Sequence, residues 1–256
     1  MGNSMPDVDR EQELLDEKQK IEYCLDERFV LSDGKKHKLA IICPGGGYER
    51  VCSFIEGTPI ARRLNALGIS AFIVYYRCKT PFPAPLDDLA KAVRFILENA
   101  EKYNLETENY SVWGASAGGH LAACFGTESL GYPKYNLPKP GAIILEYPVI
   151  SMDKSITHLG SRENLIGNNP TAQLEALTSL ENQVTSAYPR AFFWCGKDDT
   201  SVPCENSIRF AKALENSKID HCFTLYESAP HGLGPGTGSQ AEGWIERAVN
   251  FWINQN

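Results

Sequence analysis

The chain has 256 residues, 43% of them hydrophobic and 22% charged, and a formal net charge of −7. Those fractions support a sizeable core, and the length suits one large domain or two small ones. An acidic chain builds no broad basic field, so a nucleic-acid partner is not expected, and Lys35-Lys36-His37-Lys38 reads as a solvated turn leading into a strand.

The first twenty residues are polar and rich in Asp and Glu, with no basic stretch running into an apolar one, so no secretory signal is expected. Glu11 to Lys20 reads as an exposed helix or a disordered lead, and residues 1–30 as a polar segment ahead of a single domain over 31–256. Tyr23 to Leu31 has enough apolar content for an early strand pair. Lys38 to Cys43 is a continuous apolar run that stops at Pro44-Gly45-Gly46-Gly47, the pattern of a strand covered on both faces. Pro59 to Leu67 has helical spacing and ends at Gly68. Ile69 to Tyr76 reads as a second buried strand. Pro85 to Tyr103 is an amphipathic helix with Leu86, Leu89, Ala92, Val93, Ile96 and Leu97 on one face. Tyr110 to Trp113 is a third strand and Ser116 to Phe125 the helix after it. Gly141 to Tyr147, Ala191 to Cys195 and Cys222 to Tyr226 are three more strands, and helices at Glu205 to Leu214 and Gly243 to Trp252 follow the last two.

Strands alternating with helices imply an α/β protein with a mainly parallel sheet and helices on both faces. Ligands of such sheets bind beyond the carboxyl ends of the strands. Ser151 to Tyr188 has no clear sheet element and is too long for a plain connector, so helices capping the site are expected there. No run approaches 18 apolar residues, so neither a transmembrane helix nor a membrane partner is expected. The eight cysteines form no C-x-x-C pair and several lie in apolar runs, which fits buried free thiols in a reducing cytoplasm.

The chemistry-bearing segments each follow a strand. Gly114-Ala115-Ser116-Ala117-Gly118 is a G-x-S-x-G string between a strand and a helix, the setting in which a sharp turn pushes a nucleophilic serine off the end of a sheet. Residues two before and two after that serine crowd each other and must be small, as Gly114 and Gly118 are. A nucleophilic serine also needs backbone donors for the oxygen that becomes negative. Ala117 supplies one, and Gly46 or Gly47, in the glycine-rich loop after the Lys38–Cys43 strand, the other. That loop has neither G-x-G-x-x-G nor Walker spacing, which sets aside a phosphate cradle. Asp198 and Asp199, after the Ala191–Cys195 strand, compete as the carboxylate that orients the base. Among five histidines, His231 follows the last strand. His221 begins that strand at the wrong end of the sheet, and His120 lies on the serine's own helix and reads as packing. The order serine, acid, histidine is that of the α/β hydrolases.

Pro44-Gly-Gly-Gly-Tyr48, Pro83-Ala-Pro-Leu-Asp-Asp88, Gly114 to His120, Glu146-Tyr-Pro-Val149, Gly196-x-x-Asp199-x-x-Val-Pro203 and His231-Gly232 together resemble the small bacterial esterase/lipase-like α/β hydrolases, a group often labelled acetyl-xylan-esterase-like or sugar-ester hydrolases. The resemblance runs from about Lys38 to Trp252. It implies the α/β-hydrolase fold with a small helical cap, a Ser116–His231–Asp199 triad, and an oxyanion hole of Ala117 with Gly46 or Gly47. The family's more familiar string is His-Gly-Gly-Gly; here Pro44 stands in the histidine's place. The implied substrate is a small-molecule ester, an acylated sugar with a short acyl group such as acetyl, and the reaction needs no metal or organic cofactor. Tyr48 and Tyr147 are expected, from position, on the substrate pocket wall. Self-association into a homo-oligomer is left open. The rival readings are a peptidase or lipase of the same fold and a non-catalytic binding module. Peptidases of this fold usually carry a large extra domain, which the region before Lys38 is too short to supply.

Overall fold

A computed structural model describes residues 25–254. The expected Glu11–Lys20 helix or lead lies outside these residues, as do Tyr23 and Cys24. Among the described residues, seven strands form one sheet in the order β1-β3-β2-β4-β5-β6-β7. They are β1 (Leu25–Phe29), β2 (His37–Cys43), β3 (Ser70–Val74), β4 (Leu105–Ala115), β5 (Ala142–Glu146), β6 (Arg190–Gly196) and β7 (His221–Tyr226). Only β1 runs antiparallel, against β3; every other pairing is parallel. Of the expected early strand pair, the described residues form one edge strand, β1, which extends the sheet ahead of residue 31.

The apolar runs of β2, β3, β5, β6 and the second half of β4 are buried on both faces, as such runs require, whereas the edge strand β7 is half-buried. One face packs α3 (Ala84–Glu98), α4 (Ser116–Phe125) and α7 (Glu205–Asn216) through Leu89, Val93, Leu121, Phe210 and Leu214. The other packs α2 (Thr58–Ala66) and α8 (Trp244–Ile253) through Ile60, Leu64, Trp244 and Trp252. The described helices also include the four-residue α1 (Ser53–Glu56) and two in the expected cap region, α5 (Leu159–Ile166) and α6 (Ala172–Thr178). No helix among the described residues is long and apolar enough to cross a membrane.

Strand β4 is much longer than its apolar stretch suggested. Its first residues, Leu105 and Glu106, pair with His37 and Lys38; the register then shifts before Ser111 meets Ala40. Glu106, Glu108 and Asn109 break the apolar pattern, and Asn109 stands at φ 62°, so the sequence showed only the regular half. The seven described cysteines are free thiols, and Cys43, Cys124 and Cys195 are buried.

From β2 the chain crosses to β3 on one side, and from β4 to β5 on the other. The carboxyl ends of β2 and β4 thus flank a topological switch point, where open α/β sheets leave a crevice. At that crevice α4 starts directly off β4 and passes hard against the end of β2. A Cβ on Gly118 would stand 2.0 Å from the Cys43 carbonyl oxygen and 2.4 Å from that of Pro44; one on Gly114 would stand 2.2 Å from the Gly118 carbonyl oxygen. Both contacts are backbone, which no rotamer change relieves. Gly118→Ala is accordingly expected to lower stability by about 1–3 kcal/mol, the usual cost of overpacking, read as a lower urea midpoint. An unchanged midpoint would mean that the crossing is not tight.

Candidate active site

The site is assembled from four loops at the carboxyl ends of β2, β4, β6 and β7. Ser116 sits in the turn from β4 to α4 at φ 51°, a left-handed conformation unusual for a residue with a side chain. The turn raises its hydroxyl off the sheet edge, where the residue remains 6% exposed. His231, in the loop after β7, places Nε2 2.9 Å from the Ser116 Oγ. Its Nδ1 lies 2.7 Å from Asp199 Oδ2. A carboxylate only accepts, so Nδ1 carries the proton and Nε2 is left to accept from the serine hydroxyl.

The two competing aspartates have separate tasks. Asp199 Oδ1 accepts the N–H groups of Ser201 and Val202, both at 2.9 Å, so one oxygen is fixed by its own loop and the other faces the imidazole. Asp198 points to the histidine loop instead. It accepts from the Ser228 hydroxyl and the Ala229 N–H, both at 2.7 Å. Those bonds hold its carboxyl below the usual carboxylate range, the Ser228 bond contributing most.

The glycine loop after β2 lies beside the serine. A Cβ on Gly45 would be 2.8 Å from the Ser116 Cβ. Gly46 and Gly47 take φ values of 122° and 67°, and a Cβ on Gly46 would meet the Arg50 carbonyl oxygen at 2.2 Å. No acceptor among the described residues takes the N–H of Gly46, Gly47 or Ala117. The cap holds this loop from above: Asn164 Nδ2, on α5, donates to the Gly47 carbonyl at 3.0 Å. His158 caps the start of α5, its Nδ1 accepting the Ser161 N–H, and its Cε1 is the atom nearest to where a Gly47 Cβ would be. Burial holds the His158 imidazole below its usual range, and the electrostatic influence of His231 adds to that, against an opposing effect of Asp199.

The two tyrosines expected on the pocket wall are not there. Tyr48 and Tyr147 are fully buried, at 1% and 0% exposure, and both have left-handed backbone, φ 55° and 34°, with their rings packed inward. Tyr48 packs edge-on against Tyr76 and His120. Tyr147 lies beneath the imidazole, its ring centroid 4.5 Å from that of His231. Missed by the sequence reading were Glu56 and Asn164, both bonded to the glycine loop. A lone glutamate beside Phe54 and Ile55 and an asparagine in helix α5 give no signal of such contacts.

His120 is not hydrogen-bonded to Ser116. Its Nε2 donates to the Thr178 carbonyl at 2.8 Å and its Nδ1 accepts from the Tyr48 hydroxyl at 2.9 Å, which joins α4 to the cap. Burial pushes its pKa down to about 4, against a smaller opposing effect of the Thr178 carbonyl.

The fold is that of the α/β hydrolases. The crystal structure of an acetyl ester-xyloside bifunctional hydrolase from Caldicellulosiruptor lactoaceticus superposes with a TM-score of 0.80 at 34% identity, covering 88% of this chain and 85% of that one. The chain belongs to the BD-FAE family, whose model matches residues 30–214. It is 35% identical over 227 residues to endo-1,4-beta-xylanase B of Butyrivibrio fibrisolvens, a match spanning 84% of this chain and 35% of the relative. It is also 31% identical over 215 residues to an acetylxylan esterase of Xylanibacter ruminicola, spanning 82% of this chain and 44% of the relative. The chain thus spans less than half the length of these two relatives.

Neutral His120 yields a pH prediction. Its folded pKa lies below the value near 6.5 of a free imidazole, so the neutral form contributes stability in full above pH 6.5, and that contribution is lost as the pH falls from 6.5 toward about 4. The loss is on the order of 3 kcal/mol. Chemical denaturation of wild type and His120→Asn over pH 4–7 checks this: the wild type should lose stability faster on acidification, and parallel curves would remove His120 as the cause.

Proposed function

We propose that the chain is a serine hydrolase that cleaves carboxylic esters through an acyl-enzyme. The observation that carries this reading is the unbroken hydrogen-bond chain from Ser116 through His231 to Asp199, at 2.9 and 2.7 Å, at the end of the sheet. His231 Nε2 takes the Ser116 proton as Oγ attacks the ester carbonyl carbon. Asp199 holds the imidazole in the tautomer that accepts this proton and stabilises the imidazolium that forms. The carbonyl oxygen gains the negative charge, and the free N–H groups of Ala117 and the Gly46–Gly47 pair receive it. The tetrahedral intermediate collapses, and the alcohol leaves with the proton from His231. Water then attacks the acyl-serine with His231 again as base, releasing the acid and the free serine.

The substrate we propose is a short acyl ester of a carbohydrate, acetyl foremost. The support is similarity: one relative is named an acetylxylan esterase, and the similar solved structure is described as an acetyl ester-xyloside hydrolase. The chain from β1 onward then acts as one hydrolase domain, with the segment about 151–188 as its cap.

Two measurements test the reading. Ser116→Ala should reduce p-nitrophenyl acetate hydrolysis by at least about a thousandfold; activity at the wild-type level would remove Ser116 from its role. On acetylated xylo-oligosaccharides set against p-nitrophenyl esters of rising chain length, the acetyl substrates should have the highest kcat/KM. A preference for long acyl chains would overturn the carbohydrate assignment and leave the serine chemistry standing.

A further inference from the structure

Helix α1 inverts ordinary hydropathy. Phe54 is 88% exposed, and Glu56, two residues on, is 5% exposed. A buried carboxylate is costly unless its oxygens are satisfied, and the partners of Glu56 are specific. Oε2 accepts the Gly45 N–H at 2.8 Å, and Oε1 accepts the Tyr147 hydroxyl at 3.0 Å. The Tyr147 oxygen in turn accepts the Gly234 N–H at 3.1 Å. Gly45 belongs to the loop with the free backbone donors, and Gly234 lies three residues past His231. A Cβ on Gly45 would stand 2.6 Å from Glu56 Oε2 and 2.8 Å from the Ser116 Cβ, so carboxylate, loop and nucleophile meet at one point. The same Tyr147 lies under the imidazole of His231.

Resting on the serine-hydrolase reading, we infer that Glu56 and Tyr147 are positioning residues for the reaction, forming a bridge that ties the glycine loop to the histidine loop and fixes the oxyanion donors relative to the base. Neither residue touches the reacting atoms. Both act through others: Glu56 through the Gly45 N–H, and Tyr147 through the Gly234 N–H and the face of the imidazole. Such a bridge matters most in the transition state, when charge develops at the oxyanion and on the imidazole together, and when donors already in place need no reorganisation.

The surrounding charges fit this role. Glu146 is buried near Glu56, and its Oε2 has no hydrogen-bond partner among the described residues. Burial, and then the charge of Glu56, hold Glu146 well above the ordinary carboxyl range. Burial also raises Glu56, while the Tyr147 hydroxyl, the electrostatic influence of His231 and the Gly45 N–H pull it back, in that order.

Two variants separate positioning from simple support. Tyr147→Phe keeps the ring under His231 and removes the hydroxyl, which breaks the bridge in its middle. Glu56→Gln keeps the volume and one acceptor oxygen but no longer satisfies both Gly45 and Tyr147 as an anion. The readouts are the rate of Ser116 labelling by a fluorophosphonate, kcat and KM for p-nitrophenyl acetate, and the thermal midpoint. Each variant should label about ten- to hundredfold more slowly, with kcat reduced to match and KM within about twofold, the pattern of lost positioning. Folded variants that label at the wild-type rate, with only the midpoint lowered, would overturn the bridge and leave the serine-hydrolase reading intact. A wild-type protein that does not label would instead overturn that reading itself.

Discussion

The arrangement depends on one close approach, that of helix α4 to the carboxyl end of β2. The backbone at Gly118 comes so near the Cys43 and Pro44 carbonyls that no side chain fits between them. This contact brings the serine turn and the glycine loop, separated by about seventy residues of chain, within van der Waals range. It also accounts for the strained backbone at Ser116. A helix starting so abruptly from a strand, this close to its neighbour, leaves the first helical residue in a left-handed conformation, and the surrounding packing holds it there. The strain orients the hydroxyl toward the space above the sheet, where the free amides of the neighbouring loops lie.

The other half of the site is held by carboxylates rather than by packing. Loops at strand ends have backbone N–H groups without ladder partners, and an ionised carboxylate is a strong acceptor for them. Asp199 fixes its own loop with one oxygen and the imidazole with the other. Asp198 fastens the far loop at Ser228 and Ala229, just ahead of His231. Adjacent residues thus secure both ends of the Asp199–His231 contact, and this division explains why two aspartates stand side by side after β6.

How much of this is legible in the sequence follows from the range of the interactions. Ser116, Asp199 and His231 are readable because each follows an apolar strand, and parallel strands bring their carboxyl ends together whatever lies between. The requirement for small residues at 114 and 118 is equally local, and it appears as the contacts expected of it. Tyr48 and Tyr147 show where positional reasoning ends. Both follow strands and both were placed on the pocket wall, but each has left-handed backbone, and their rings pack inward. The direction of a side chain at a turn depends on a dihedral angle that residue type alone does not disclose. Helix α1 is harder still, because its phenylalanine faces solvent and its glutamate is buried, the reverse of what hydropathy suggests. A buried carboxylate is explained only by its partners, and those of Glu56 come from loops 11 and 91 residues away in sequence.

On the proposed reading, the same contacts explain how a Pro-Gly-Gly-Gly loop would present oxyanion donors without the histidine of the more familiar string. Glycines leave amides bare, but they also leave the chain free to move, and a mobile donor loses its advantage in the transition state. Here the order comes from outside the loop. The Tyr76 hydroxyl donates to the Pro44 carbonyl at 2.6 Å, Glu56 accepts the Gly45 N–H, and Asn164 of the cap donates to the Gly47 carbonyl. Each of these anchors comes from a different part of the chain, and none uses the N–H of Gly46 or Gly47. The loop is therefore fixed at both ends while the amides between remain open, the arrangement that the proposed reaction would require of a rigid pair of donors.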